Sequence, residues 1–120
     1  MRQDLQEKLI QDHSEVFNLN RSFGIECGDG WYQLLDATLS VICGYQKRAV
    51  LKGEFDQIQI TQIKEKFGTL RLYYDGGDVI VQELVTLAEK LSGMTCEECG
   101  NLGKMYDKGW MVTRCKHHAP

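Results

Sequence analysis

The sequence has almost no proline and no long apolar run. Its single proline is Pro120, so no internal helix or strand has to break at a proline ring. No apolar segment reaches the length that crosses a bilayer. The first residues also lack the apolar stretch of a secretory signal peptide. We therefore predict a protein that has no membrane association and is not exported.

The short motifs of common catalytic sites are missing as well. There is no G-x-x-x-x-G-K-[ST] phosphate loop, no H-E-x-x-H metal site, and no Ser/His/Asp order with its supporting motifs. The adjacent carboxylates Glu97 and Glu98 are too close in sequence to indicate an acid–base pair. These absences favour a binding protein over an enzyme.

Net charge and cysteine content further restrict the type of protein and the compartment in which it occurs. The chain has 120 residues, enough for one domain with one modest core, and a net charge of -3, which argues against a protein that coats nucleic acid. Residues 44–71 nevertheless hold six basic and three acidic residues, a net charge of +3. Five cysteines form an odd set, and reduced thiols favour the cytosol.

The most specific pattern is a cysteine and histidine set near the C-terminus. Cys96 and Cys99 form a C-x₂-C pair, and Cys115 and His118 form a C-x₂-H pair after fifteen intervening residues. Three thiolates and one imidazole are a complete tetrahedral set for Zn²⁺. The spacing therefore predicts a structural zinc site, in which four protein ligands leave no position for a catalytic water.

Two alternatives remain open at this pattern. His117 is within reach of the same site and is an alternative to His118 as the fourth ligand. A redox C-x-x-C is the other alternative, but it needs no second ligand pair and is typical of a βαβ setting that the sequence does not show. The residues between the pairs predict a short β-hairpin, with Asp107-Lys108-Gly109 as its turn.

Hydrophobic periodicity predicts an α+β fold. It indicates helices over residues 2–17, 30–47 and 79–92, and a β-hairpin within residues 57–75 whose turn places Gly68 at positive φ. We expect the helices to pack on a small antiparallel sheet in a single domain, 1–120. Within it, residues 1–94 form the helical and hairpin core, and residues 95–120 form a zinc-ribbon or treble-clef-like module. The module is expected to dock on the third helix through Met94, Leu102 and Trp110.

Several single residues also receive predictions. His13 is expected to face solvent, Cys27 to be the most exposed thiol, and Asp29 to cap the second helix. On the third helix the expected buried stripe contains Ile80, Leu84, Leu87, Ala88 and Leu91.

A basic and aromatic face is the candidate binding surface outside the metal module. Lys64, Lys66 and Arg71 are predicted to share one face of the hairpin near its turn, with Tyr73 following Arg71 on the same side. This face is either a site for a phosphate or an acidic partner, or an ordinary solvated face of the sheet. Trp31 is a further candidate for ligand or partner binding, and core packing is its alternative role.

Three segments together carry a resemblance. They are Gly28-Asp29-Gly30-Trp31 opening a helix, the run from Lys64 to Arg71 (KEKFGTLR), and Thr95 to Gly100 (TCEECG) followed by Gly109-Trp110 and the Cys115-x₂-His118 pair. The chain resembles a group of small proteins encoded by phages, prophages and bacteria, over most of residues 26–118. The resemblance implies a zinc module and a mobile-element setting, and it implies no particular reaction. For a phage-encoded chain the expected cytosol is the cytoplasm of the host cell.

Three functional hypotheses follow. The first is a phage-type accessory protein that binds a host protein and inhibits or modulates it, as counter-defence proteins do. The second is a zinc-ribbon regulator that binds nucleic acid through basic residues, namely Lys64, Lys66, Arg71, Lys104, Lys108, Arg114 and Lys116. The third is capture of a phosphorylated small ligand, such as a nucleotide signal, by the face that carries Lys66, Arg71 and Tyr73.

Overall fold

A computed structural model describes residues 1–20 and 24–120 of the chain. Its helices are α1 (Gln3–Asp12), α2 (Tyr32–Leu51) and α3 (Val79–Ser92). Its strands are β1 (Ile25–Glu26), β2 (Gln59–Lys66), β3 (Thr69–Asp75), β4 (Lys104–Asp107) and β5 (Met111–Arg114). Short 3₁₀ turns cover Ser14–Val16, Asp29–Trp31 and Lys116–His118. The predicted α+β class and the order of helices and hairpins are confirmed. Of the predicted connection at 18–30, residues 21–23 lie outside the described residues.

Strands β2 and β3 form the predicted hairpin. They pair in antiparallel register, with an irregularity between Ile60 and Gln62, where the apolar alternation in the sequence slips by one residue. Phe67 and Gly68 form the turn, with φ values of 54° and 84°. Gly68 therefore takes the predicted positive-φ position, and two consecutive residues at positive φ match the twist of an antiparallel hairpin.

The sheet is not purely antiparallel, which corrects the expected architecture. Strand β1 pairs with β2 in parallel, with Ile25 opposite Ile63 and Glu26 opposite Lys64, and gives the sheet order β1-β2-β3. A two-residue strand is too short to show an alternating pattern. Its pairing partner lies 38 residues away (63 minus 25), so local sequence does not reveal it.

Helix α3 has the predicted bounds, but its buried stripe is different. Its N-terminus is capped by Asp78, whose carboxylate accepts hydrogen bonds from the amides of Ile80 and Val81. The residues that enter the core are Val81, Val85, Ala88 and Ser92. Of the predicted stripe, Ile80, Leu87 and Leu91 are exposed. Both stripes of this helix are apolar at helical spacing, so periodicity alone does not decide which one faces β3. Leu84, Leu87 and Leu91 instead line a shallow groove against Leu34, Thr38 and Val41 of α2.

The first helix ends earlier than predicted, and His13 is buried. Helix α1 stops at Asp12, and the His13 Nε2 atom lies 2.8 Å from Asp36 Oδ1 on α2. His13 is only 7 % exposed, so the expectation that it faces solvent is wrong. Its partner is 23 residues away in the chain, and only the packing of α1 on α2 brings the two together.

Cys27 and Asp29 also differ from expectation. Cys27 is buried in the core, and burial raises the pKa of its thiol to about 12. Asp29 does not cap α2. Its carboxylate instead accepts a hydrogen bond from the Arg2 amide at 2.7 Å, which ties the start of the chain to the loop before α2.

We expect Ser92→Ala to destabilise the fold by about 1–3 kcal/mol. The fully buried Ser92 hydroxyl accepts a hydrogen bond from the Leu70 amide at 2.8 Å and donates one to the Glu89 carbonyl at 2.6 Å. Alanine would leave the buried Leu70 amide without a partner. Urea unfolding measures the change. Thr86→Ala is the control, because it removes an exposed hydroxyl that bonds only to its own helix. An equal loss of unfolding free energy in this control would contradict the role assigned to the Ser92 hydroxyl.

Candidate metal centre

The first ligand pair lies in a tight turn between α3 and β4. The Gly100 amide donates a hydrogen bond to the Cys96 carbonyl at 2.8 Å, and Gly100 has a φ of 82°, a conformation that glycine adopts at low cost. The turn closes within five residues and directs Cys96 and Cys99 to the same side. Gly100 therefore supplies the positive-φ backbone that this turn requires.

The second ligand pair follows the β4–β5 hairpin. The strands pair from Lys104 opposite Arg114 to Asp107 opposite Met111, as the sequence predicts. After β5 the chain enters the 3₁₀ turn at Lys116–His118, whose His118 amide donates to the Cys115 carbonyl at 3.2 Å. This turn places the two side chains of the C-x₂-H pair on one side.

The two pairs meet in one cluster. The donor atoms of Cys96, Cys99, Cys115 and His118 all lie within 4.8 Å of one another. Nδ1 of His118 is 3.2 Å from Cys115 Sγ and 3.7 Å from Cys96 Sγ, and the sulfurs of Cys99 and Cys115 are 3.7 Å apart. Of the two candidate histidines it is His118 that joins the cluster. These four side chains could bind one metal ion.

The surroundings of Cys96 and Cys115 favour thiolates. At Cys99 the hydrogen bond from the Asn101 amide is outweighed by burial and by the neighbouring Cys115 and Cys96 thiols, and the pKa is raised instead. Burial raises the pKa of Cys96, but backbone amides of Cys115, Cys99 and Glu98 donate hydrogen bonds to its sulfur and the net shift is downward. At Cys115, burial is likewise outweighed by hydrogen bonds from His118, and the pKa falls to about 6. Thiolate is the form of cysteine that binds metals, so the backbone of both turns prepares the cluster for a cation.

The metal module docks on the rest of the chain through its backbone, which corrects the predicted docking. Met94, Leu102 and Trp110 are all exposed and do not form the contact. Instead the Gly30 amide donates to the Glu97 carbonyl at 2.7 Å, and the Gly28 amide donates to the Glu97 carboxylate at 2.9 Å. A Cβ atom at residue 28 or 30 would collide with the carbonyl oxygen of Glu97 or Cys96, so this approach requires glycine at both positions.

Two side chains complete this seam between core and module. Trp31 is fully buried, and its indole N–H donates to the Thr95 carbonyl at 2.8 Å. The structure thus places Trp31 in the core and not on a binding surface. The Thr113 hydroxyl on β5 donates to the Gly68 carbonyl at 2.6 Å, which joins the metal hairpin to the turn of the β2–β3 hairpin.

Glu97 is a residue that the sequence reasoning missed. It follows the first ligand, and both its main chain and its carboxylate hold the loop before α2. Burial raises the pKa of its carboxyl group, and the neighbouring Glu65 raises it further. The only signal in the sequence was the Gly28-Asp29-Gly30 segment, which we interpreted as a turn and not as a docking surface.

The basic and aromatic residues share a face as predicted. Lys64 is the direct partner of Arg71 across β2 and β3, and Tyr73 follows Arg71 by two residues. Lys66 and Tyr73 are exposed. The Arg71 Nε atom is buried and has no hydrogen-bond partner. The remaining cations of the nucleic-acid hypothesis lie on or next to the metal hairpin, where Lys104 is 5.1 Å from the Tyr106 ring centroid and Arg114 is 3.4 Å from Glu98.

Comparison with known proteins finds no relative. No protein-family model, curated protein or solved structure matches the chain. Within the residues that the structure describes, no helix has the length and apolar character needed to cross a membrane.

We expect Gly30→Ala to destabilise the protein by about 1–3 kcal/mol. A Cβ atom at residue 30 would lie 2.2 Å from the Cys96 carbonyl oxygen, so the module would have to move away from the core. Gly24→Ala is the matched control, because no atom of the described residues, apart from its chain neighbours, lies within 4 Å of its Cβ position. It should change stability by less than about 0.5 kcal/mol. Equal losses of stability for the two variants in urea unfolding would contradict a close contact between Gly30 and the main chain of Cys96.

Proposed function

We propose that the chain is a protein-binding domain whose C-terminal module is held together by one structural Zn²⁺. The ligands are Cys96, Cys99, Cys115 and His118. The observation that carries the proposal is the closed geometry of these four side chains, whose donor atoms lie within 4.8 Å of one another.

The donor set suits zinc better than other common ions. Zinc–sulfur bonds of about 2.3 Å in a tetrahedron place two sulfurs roughly 3.7 Å apart, and the Cys99 and Cys115 sulfurs are 3.7 Å apart. Calcium and magnesium prefer oxygen ligands, which this set lacks. A turn with two ligands, a hairpin, and a second pair at a short helical turn is the order of a treble-clef-like module.

A structural role for the metal follows from the number of ligands. Catalytic zinc sites keep one position open for water or substrate, whereas four protein ligands fill a tetrahedron. In this site the zinc would hold both ligand turns, and through them the Glu97 backbone that contacts Gly28 and Gly30. The ion therefore acts on the shape of the binding surface and not on a reaction.

Binding of a protein is the function that the remaining features support best. The sequence has no catalytic motif, and its net charge of -3 opposes general attachment to nucleic acid. The more specific hypothesis, that a phage-type protein binds a host protein and inhibits or modulates it, is supported by the sequence resemblance alone.

Capture of a phosphorylated small ligand is a second candidate. It is favoured by the Arg71 Nε atom, which is buried without a hydrogen-bond partner, beside Lys64 on the exposed face of the sheet. An arginine side chain can offer paired N–H donors to a phosphate group. Tyr73, two residues further along the same strand, would supply an aromatic surface for a nucleobase.

We expect one zinc per chain and a large loss of stability when it is removed. Structural zinc in small peptides contributes on the order of 10 kcal/mol of apparent binding free energy, so a strong chelator or Cys96→Ser should lower the melting temperature and unfold the module. Native mass spectrometry and circular dichroism measure both effects. Cys43→Ala, at a buried cysteine outside the cluster, should keep its zinc. A protein purified without metal, or a melting temperature that is unchanged by the chelator, would contradict the proposal.

Native mass spectrometry of the chain purified gently from a bacterial host, after nuclease treatment, also tests the function. We expect a stoichiometric complex with a second protein that persists in the Arg71→Ala variant. A small added mass that disappears in Arg71→Ala would support the second candidate instead. Binding of DNA or RNA that weakens steeply with salt would support the nucleic-acid hypothesis. The zinc-loaded chain alone at near-native expression would count against protein binding.

A further inference from the structure

Two aromatic side chains stand exposed beside one cleft. Phe67, in the turn of the β2–β3 hairpin, is 63 % exposed, and Trp110, in the turn of the β4–β5 hairpin, is 67 % exposed. Both line a cleft of about 700 Å³ between the two hairpins. Neither ring contributes to the hydrophobic core, so packing does not explain why large apolar residues occupy these positions.

The backbone of Phe67 makes its presence more unusual. Among the described residues it is the only non-glycine residue with positive φ, at 54°. This conformation is unfavourable for a bulky side chain and suits asparagine or glycine. A residue that strains its own turn and remains in solvent is one whose side chain serves a contact outside the fold.

Contacts between the hairpins fix the relative position of the two segments that carry these rings. The Thr113 hydroxyl donates to the Gly68 carbonyl at 2.6 Å. The main chain of Met111 also lies close to Gly68, since a Cβ atom built on Gly68 would be 3.3 Å from it. The cleft is therefore a preformed feature of the surface.

The charged side chains that line the cleft are mainly acidic. Three carboxylates, Glu65, Glu97 and Asp107, accompany one cation, Arg114. The Arg114 guanidinium also lies 3.4 Å from Glu98, which offsets its charge. The Arg114 Nε atom is buried without a hydrogen-bond partner, but the three carboxylates outnumber this cation. Together with the aromatic faces they favour a cationic ligand.

We propose that this cleft binds the arginine or lysine side chain of a basic segment in a partner protein. The cation would lie against the faces of Phe67 and Trp110, with Glu65 and Asp107 as its counter-charges. The inference rests on the proposed protein-binding function and specifies the chemistry of the partner. The molecule itself shows that one of these rings accepts a cation, because Lys66 Nζ lies 5.5 Å from the Phe67 ring centroid.

Trp110 provides a direct readout. The chain has two tryptophans, and the indole N–H of Trp31 is bonded to the Thr95 carbonyl in the core. In the NMR spectrum of the zinc-loaded full chain, a capped Gly-Arg-Gly-Arg-Gly peptide should therefore shift the Trp110 indole signal saturably and leave that of Trp31 in place. The control peptide carries citrulline, the neutral isostere of arginine, and should produce no saturable shift.

Variants separate binding from folding. Phe67→Asn creates an Asn-Gly turn, which is favoured in two-residue hairpins, so it should raise the melting temperature. It should also weaken binding of the arginine peptide roughly threefold to tenfold. Trp110→Ala should lower the affinity for the arginine peptide to a similar or larger extent, and Asp107→Asn should lower it less. Lys66→Gln removes a competing cation, so it should leave the affinity unchanged or increase it.

The inference is overturned if the citrulline peptide binds equally well, if no peptide shifts the Trp110 signal, or if Phe67→Asn binds with unchanged affinity. A Trp110 shift produced by oligothymidine and not by the arginine peptide would overturn it in favour of nucleic-acid binding. If the protein complex found by native mass spectrometry persists in Trp110→Ala, this cleft is excluded while the protein-binding function stands.

Discussion

The close approach of two backbone segments is the constraint on which this structure depends. Gly28 and Gly30 bring the loop before α2 against Cys96 and Glu97, where the Gly30 amide and the Glu97 carbonyl are 2.7 Å apart. A side chain at either glycine would collide with the main chain that carries the first two ligands. The seam therefore links the position of the metal cluster to the start of α2, and the core and the module cannot shift independently.

The cysteines divide into two groups by their surroundings. Burial raises the pKa of Cys27 to about 12 and that of Cys43 to about 11, so both remain neutral thiols and pack as small apolar side chains. In the cluster, backbone amides and the His118 ring lower the pKa of Cys96 and Cys115. One chain thus keeps two thiols neutral and, through hydrogen bonding at the two turns, favours thiolates at two others that could bind a metal ion.

The metal hairpin, formed by β4 and β5, connects the Cys/His cluster to the proposed binding cleft. It closes the ligand cluster at one end, and at the other end it carries Trp110 beside the β2–β3 turn. The bond from Thr113 to the Gly68 carbonyl connects the two hairpins, so an ion that orders the module also orders the proposed binding cleft. Phe67 fits this view, because its positive φ destabilises the turn slightly and the proposed cleft would give its exposed ring a role.

The sequence by itself determined the features that depend on local spacing. The C-x₂-C and C-x₂-H pairs, the two hairpins, the positive φ of Gly68 and the bounds of α3 follow from residues within a few positions of each other, since turn chemistry and helical periodicity act over that range. Only the tertiary structure decided which apolar stripe of α3 is buried, that His13 contacts Asp36, that β1 joins the sheet in parallel, and that the module docks through Glu97. Each of these depends on a partner distant in the chain, up to 69 residues away for Gly28 and Glu97. A local sequence pattern does not indicate such a partner.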